Sequence, residues 1–205
     1  MSKTKPRKSI WQSRVDTNMQ RPANQILDFY PEARDHSPVE KAAAIHHHVN
    51  TEIEYEKRDF DNNPRDLRLP LECWNTGAGN CQEKSLVTAS LLSGVGHYTV
   101  HTVALSREGG GKHRILEIEF PYHYNHVSNT LWGFYKRSDT TESFSDMIAF
   151  VRGDENTYTS VIADTGSAYL GDLGHLKSMG YVVDPPDDDD AVWDYYQEDS
   201  VIQII

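Results

Sequence analysis

The sequence predicts an α+β fold in which a buried helix starting at Cys81 packs against an antiparallel sheet. Apolar residues recur at helical spacing in the first half of the chain, in a segment after Ser37 and again after Cys81. From His97 onward the pattern changes to short β-rich segments bounded by glycine-rich turns. Helices followed by strands, rather than strict alternation of the two, indicate an α+β arrangement.

Residues 1–22 are polar, basic and aperiodic, with Trp11 as the one large anchor, and read as a basic arm or a loosely docked segment. Residues 23–34 suggest a short helix around Ile26, Leu27, Phe29 and Tyr30. Ser37-Pro38-Val39-Glu40 is a helix start: Ser37 can cap, Pro38 suits the first helical position, and Glu40 closes a capping box. Val39, Ala42, His46, Val49 and Ile53 continue that helix to about Glu56, before a loop at 59–70 rich in Asp, Asn and Pro.

Thr76-Gly77-Ala78-Gly79-Asn80 reads as a glycine-rich turn. Cys81 then opens a helix whose Leu86, Val87, Ala89, Leu91 and Leu92 form a wide apolar face, with Gly94 and Gly96 expected to stop it. Residues 98–105 and 113–120 read as two strands joined through Gly109-Gly110-Gly111, and Tyr158 to Asp164 as a third. An irregular, aromatic-rich insertion occupies about 121–157, and 169–182 suggest one more helix and a short strand. Residues 23–183 are thus expected to form one domain, and 184–205 an acidic tail ending in Val201-Ile-Gln-Ile-Ile205, which can add a strand to a sheet edge.

At 205 residues, one domain with tails is expected. The net charge of −11 is unevenly spread: residues 184–205 hold eight acids and no base, and residues 1–21 hold six bases and one acid. An acidic body argues against nucleic acid as a partner, because phosphate recognition requires clustered positive charge. No apolar run approaches the roughly 20 residues that span a bilayer, and no signal peptide is evident, so no membrane is expected and the cytoplasm is the expected location. Two cysteines, Cys73 and Cys81, are too few for a disulfide scaffold and suit a reducing compartment.

Cys81 stands where a thiol is most easily ionised. Unpaired N–H groups and the positive dipole end at a helix N-terminus favour the thiolate, the reactive form, and can hold a developing oxyanion. The adjacent glycines are expected to let a substrate backbone approach. A thiolate also needs a base and a group to orient that base. His113, at the start of a strand, and Asp164, at the end of another, can converge with Cys81 if those strands pair.

These segments resemble the transglutaminase-like superfamily. Gly77-Ala-Gly-Asn-Cys81-Gln-Glu-Lys-Ser-Leu86 is similar to that family's nucleophile segment, and His113-Arg-Ile-Leu-Glu117 to its His-x-x-x-Glu strand, with Ile115 where Trp is common. Asp164-Thr165 matches its third motif, and the helix ending in Ile53-Glu-Tyr55 matches its upstream helix. The resemblance covers about residues 37–170; the stretch between His113 and Asp164 is longer than in a compact member. It implies a papain-like core with a Cys81–His113–Asp164 triad that transfers acyl groups from amide bonds of a protein or peptide substrate. Hydrolysis, by a peptidase or amidase, is favoured over crosslinking. No cofactor or metal is implied. The Cys81 N–H is the expected first oxyanion donor, with the Trp74 indole N–H as a candidate second.

Plainer readings stand beside these. Cys81 can be a buried structural thiol, His113 a surface residue of a hairpin, and Asp164 a turn residue. A catalytically idle transglutaminase-like binding module, docking in an assembly through its tails, is the alternative from another class; the basic arm and acidic tail can also pair across a homo-oligomer. Cys73 reads as a passive thiol, or as a disulfide partner of Cys81. His46-His47-His48 point about 100° apart on a helix and cannot share one metal ion; His46 is expected in the core, with His47 and His48 solvated. His97 and His101 are reserve bases, and residues 122–126 can line a cleft.

Overall fold

The computed structural model describes residues 11–31, 38–57, 64–106, 112–119, 160–164, 169–171, 201–203 and 205. Helices pack around one central helix, and a five-stranded sheet covers its remaining side. The architecture is α+β.

The chain enters the core earlier than its polar composition suggests. Residues 11–14 form a helical turn, Thr17–Met19 a 3-10 turn, and Gln20–Phe29 helix α1. Trp11 and Met19 are buried with Ala23, Ile26 and Leu27. The segment from Trp11 is therefore part of the body rather than a loose arm. It is tied down by polar bonds as well: Arg14 donates to the carbonyls of Leu67 (3.1 Å) and Arg65 (2.6 Å), and the Asp16 N–H donates to Ser90 Oγ (2.9 Å).

Helix α2 spans Pro38–Glu52, starting at the expected proline; the expected cap, Ser37, lies outside the described residues. Ala42, His46, Val49 and Ile53 are buried, as the helical spacing requires. The helix ends before Glu56 because Glu54–Tyr55 (β1) pairs in parallel with Ala78–Gly79 (β2). Of the turn expected at 76–80, Gly77 makes the left-handed turn at φ 64°, and Ala78–Gly79 go into the bridge. Between them lie a 3-10 turn at Pro64–Asp66 and helix α3, Pro70–Thr76, in a stretch with no clear periodicity in the sequence.

Helix α4, Cys81–Val95, is the central element and touches α1, α2, α3 and the sheet. It is buried on nearly every side from Cys81 to Leu92, polar residues included. Thr88 and Ser90 meet that requirement by donating back to the carbonyls of Lys84 (3.0 Å) and Leu86 (2.7 Å). Gly94 does not stop the helix. It lies where α1 crosses, and a Cβ there would stand 2.7 Å from the Gln20 Cα.

The sheet has the order β6-β5-β4-β3-β7, antiparallel throughout: Tyr169–Gly171, Ser160–Asp164, Lys112–Glu119, Thr99–Ser106 and Val201–Gln203. The two long strands pair from Thr99↔Glu119 to Ser106↔Lys112, so the expected hairpin forms; its triple-glycine turn lies outside the described residues. Val100, Leu116, Ile118 and Ala163 belong to the buried core cluster. Burying a Val, Leu or Ile side chain contributes about 1.5–3 kcal/mol. The C-terminal pentad does supply an edge strand, on β3 of its own chain, with Val100 and Ile205 exchanging backbone bonds at 3.2 and 3.4 Å. The insertion at 121–157 and the acidic stretch at 184–200 lie outside the described residues; of 169–182, expected to hold a helix and a short strand, the described part, Tyr169–Gly171, is strand.

Candidate functional site around Cys81

Cys81 occupies the first position of α4, and the sequence just before it explains why the helix begins there. Asn80 is extended, and its side-chain oxygen accepts the N–H groups of Gln82 (3.0 Å) and Glu83 (2.9 Å). Glu83 reaches back to accept the Asn80 N–H at 3.1 Å, closing a capping box. The Lys84 N–H bonds to the Asn80 carbonyl. Among the described residues, the Cys81 N–H is then the first-turn donor left without a partner, as an oxyanion donor should be.

Below the cap lies a charged but paired layer. The buried Glu83 carboxylate also accepts the Arg68 N–H at 2.9 Å. Arg68 donates to the Ala78 carbonyl at 2.7 Å and pairs with Glu56 at 2.6 Å. The buried Lys84 ammonium donates to the Ile53 carbonyl at 2.9 Å. These bonds join α4, the β1–β2 bridge and the end of α2 into one support for Cys81. Gly79 serves the same support rather than a substrate: a Cβ there would stand 2.6 Å from Cys73 Sγ and 3.2 Å from the Glu83 Cβ.

The structure brings Cys81 and His113 together. Burial acts to raise the Cys81 thiol. A hydrogen bond from the His113 ring and its positive charge act against that, as do the Arg114 backbone N–H and the Arg114 charge. The net effect holds Cys81 below the ordinary cysteine value. Cys73 shows the opposite behaviour. Burial, with the nearby Glu83 charge, pushes it up to about 12, and its Sγ is 3.3 Å from the Ala78 carbonyl. Both cysteines are free thiols.

Asp164 is placed by register. Leu116 pairs with Ala163, so Asp164 is level with Ile115, two residues along β4 from His113. At about 3.4 Å per residue and 4.8 Å between strands, the two backbones are roughly 8 Å apart there. Its side chain, and Thr165, lie outside the described residues. His101 is removed as a reserve base: His113 pairs with Leu105, four residues or about 13 Å along β3. Its Nδ1 lies instead 3.5 Å from Glu119 Oε1. His97 is exposed beyond the strand end. Trp74, on α3, stacks its ring on His48 at 5.6 Å and 25°. Residues 122–126 lie outside the described residues.

Two of the three consecutive histidines depart from expectation. His46 is buried, its Nε2 3.2 Å from Asn50 Nδ2. His47 and His48 are not solvated but half-buried among rings: Tyr30 lies 5.8 Å from each, and Phe29 lies 6.1 Å from His48. Burial holds both imidazoles below their ordinary value, with His48 adding to the effect at His47 and Glu52 opposing it at both. The signal that could have shown this was the aromatic pair Phe29-Tyr30, one helix earlier.

Arg114 was missed altogether. It reads in the sequence as a polar residue of a strand, yet its guanidinium lies 4.3 Å from the Trp11 ring and donates to Thr102 Oγ1 at 3.0 Å. No helix among the described residues is long and apolar enough to cross a membrane. Comparison with family models and with curated proteins finds no match to the chain.

Proposed function

We propose that the chain is a thiol-dependent acyl-transfer enzyme acting on amide bonds, with a transglutaminase-like core of the papain type, and that hydrolysis of a protein or peptide amide is its main reaction. The observation that carries this is the Cys81–His113 hydrogen bond at the N-terminus of a buried helix, with the thiol held below its ordinary value.

His113 takes the Cys81 proton, and the thiolate attacks the amide carbonyl. The Cys81 N–H holds the oxyanion, with the Trp74 indole as the candidate second donor. The imidazolium returns its proton to the leaving nitrogen, and ammonia or an amine departs from the acyl-enzyme. His113 then takes a proton from water, whose oxygen displaces the sulfur and releases the acid. Asp164 orients His113 and stabilises its charged form. Hydrolysis is favoured because crosslinking needs a path that admits an amine and excludes water.

One observation favours a second reading. Cys81 is only 8 % exposed, which suits a catalytically idle module that docks through its tails. Alkylation of Cys81 by iodoacetamide from pH 4 to 9 separates the two. The enzyme reading expects reaction well below the free-thiol midpoint, lost in His113→Ala and weakened in Asp164→Asn. An unreactive thiol, or one titrating as free cysteine, would leave the binding module as the better account.

A further inference from the structure

Three of the four hydroxyls on α4 are spent inside the helix. Thr88 and Ser90 each donate to the carbonyl four residues back, at 3.0 and 2.7 Å, and Ser93 donates to the Ser90 carbonyl at 2.7 Å. Ser90 Oγ also accepts the Asp16 N–H at 2.9 Å. The fourth is Ser85. It is 1 % exposed, yet among the described residues its Oγ has no hydrogen-bond partner. The carbonyl four residues back is that of Cys81, and the hydroxyl does not take it. A buried hydroxyl left unpaired works against the fold, and such groups are rare where function does not require them.

Ser85 stands one turn after Cys81. Residues four apart on an α-helix share a face, with about 5–6 Å between their Cβ atoms, and helical side chains lean toward the N-terminus. Ser85 therefore leans toward Cys81, and a turn of its χ1 carries Oγ toward the sulfur. An ionised sulfur accepts strongly the hydrogen bonds that a thiol accepts weakly.

The titratable groups on the elements around the start of α4 have other places. Glu83 accepts the Asn80 and Arg68 N–H groups, and Lys84 donates to the Ile53 carbonyl. Cys73 of α3 is pushed up to about 12. Glu52 at the end of α2 and Asp28 on α1 are exposed. From β4, His113 and Arg114 act on Cys81.

We propose that Ser85 is a positioning residue of the nucleophile: its hydroxyl, left unspent by the helix, turns to donate to the Cys81 sulfur when that sulfur is ionised. This rests on the reading of Cys81 as a nucleophile. Ser85 keeps its own proton throughout. The Cys81 proton goes to His113, and the hydroxyl holds the anion in place for attack.

The test pairs two measurements on the full chain: the rate of Cys81 alkylation by iodoacetamide against pH, read by peptide mass, and urea unfolding. The proteins are the wild type, Ser85→Ala, Ser90→Ala and His113→Ala. A hydrogen bond to the charged form favours that form. Ser85→Ala should therefore move the alkylation midpoint up by about one unit and slow the reaction below the midpoint by roughly threefold, the lost thiolate being partly offset by higher intrinsic nucleophilicity. Its urea midpoint should hold or rise, because the fold makes no bond with that hydroxyl. Ser90→Ala, which strips the Asp16 N–H of its acceptor, should do the reverse: the urea midpoint falls and the alkylation midpoint stays.

An alkylation midpoint unmoved in Ser85→Ala overturns the proposal; if the wild type still reacts at low pH and His113→Ala abolishes that reaction, the enzyme reading stands without it. A midpoint that moves as far in Ser90→Ala as in Ser85→Ala overturns it too, since loosening of the helix is then the cause. So does a loss of urea stability, or a failure to fold, in Ser85→Ala, because the hydroxyl then serves the fold. If the wild type itself titrates as free cysteine, the enzyme reading and the proposal fall together.

Discussion

Asn80 and Glu83 bind each other twice: the Asn80 side chain accepts the Glu83 N–H at 2.9 Å, and the Glu83 carboxylate accepts the Asn80 N–H at 3.1 Å. The pair fixes where α4 begins, and therefore where the Cys81 sulfur stands. Asn80→Ala should cost about 1 kcal/mol or more in urea unfolding. Glu83→Gln should cost roughly 1–3 kcal/mol, because the Arg68 and Asn80 N–H groups are accepted by different carboxylate oxygens, and one of these becomes an NH2 that can only donate. Glu72→Gln is the control. Its carboxylate accepts one N–H, from Leu69, at an exposed helix start, and the change should stay within about 0.5 kcal/mol. Equal losses at Glu72 and Glu83 would contradict a special role for the buried cap.

The two thiols should separate by chemistry alone. With Cys73 pushed up to about 12 and Cys81 held below its ordinary value, limited iodoacetamide at pH 7 should label Cys81 and spare Cys73. In denaturant the two should label at similar rates. Peptide mass analysis reads the ratio, and preferential labelling of Cys73 in the native protein would invert the assignment.

Gly79→Ala forces a methyl to 2.6 Å from Cys73 Sγ. The variant should lose stability, and removing the sulfur with Cys73→Ala should return part of it. A double-mutant cycle is expected to show coupling on the order of 0.5–3 kcal/mol. Simple additivity would mean that the sulfur is not what Gly79 makes room for.

His47 and His48 predict an acid-labile element. Both are held below the ordinary value of 6.5 in the folded protein, so below that pH the unfolded chain binds protons that the folded one resists. Their stability contribution is whole above about pH 6.5 and falls as pH drops toward the lower folded values. Thermal unfolding between pH 7 and 5 should be steeper for the wild type than for the His47→Gln, His48→Gln double variant. Parallel curves would remove these residues as the cause.

What could be read from the sequence was what local pattern controls. The hairpin of β3 and β4 follows from β-branched runs on either side of three glycines, and α2 from its apolar spacing and Pro38. The end of α2 could not be read, because it depends on a two-residue bridge to Ala78–Gly79, far along the chain. The burial of Glu83, Lys84 and Ser85 was equally hidden: a helix covered on all sides has no polar face, so its polar residues carry no periodic mark. In the site, Cys81 and His113 were legible because helix start and strand start are local signals. Arg114 was not, since what makes it unusual is Trp11, a contact that no spacing announces.

That same contact has a consequence for how the chain folds. Trp11 and Arg114 are roughly a hundred residues apart, so their meeting closes most of the described chain into one loop. Loop-closure entropy must be met before such a contact gives anything back, and non-local pairings of this kind slow folding. Helices α1, α2 and α4 can assemble locally, whereas His113 and Arg114 reach the Cys81 sulfur only after β4 has joined. The acidity of the Cys81 thiol is therefore a late-forming property, and thiol reactivity measured during refolding would report the docking of β4 rather than the collapse of the core.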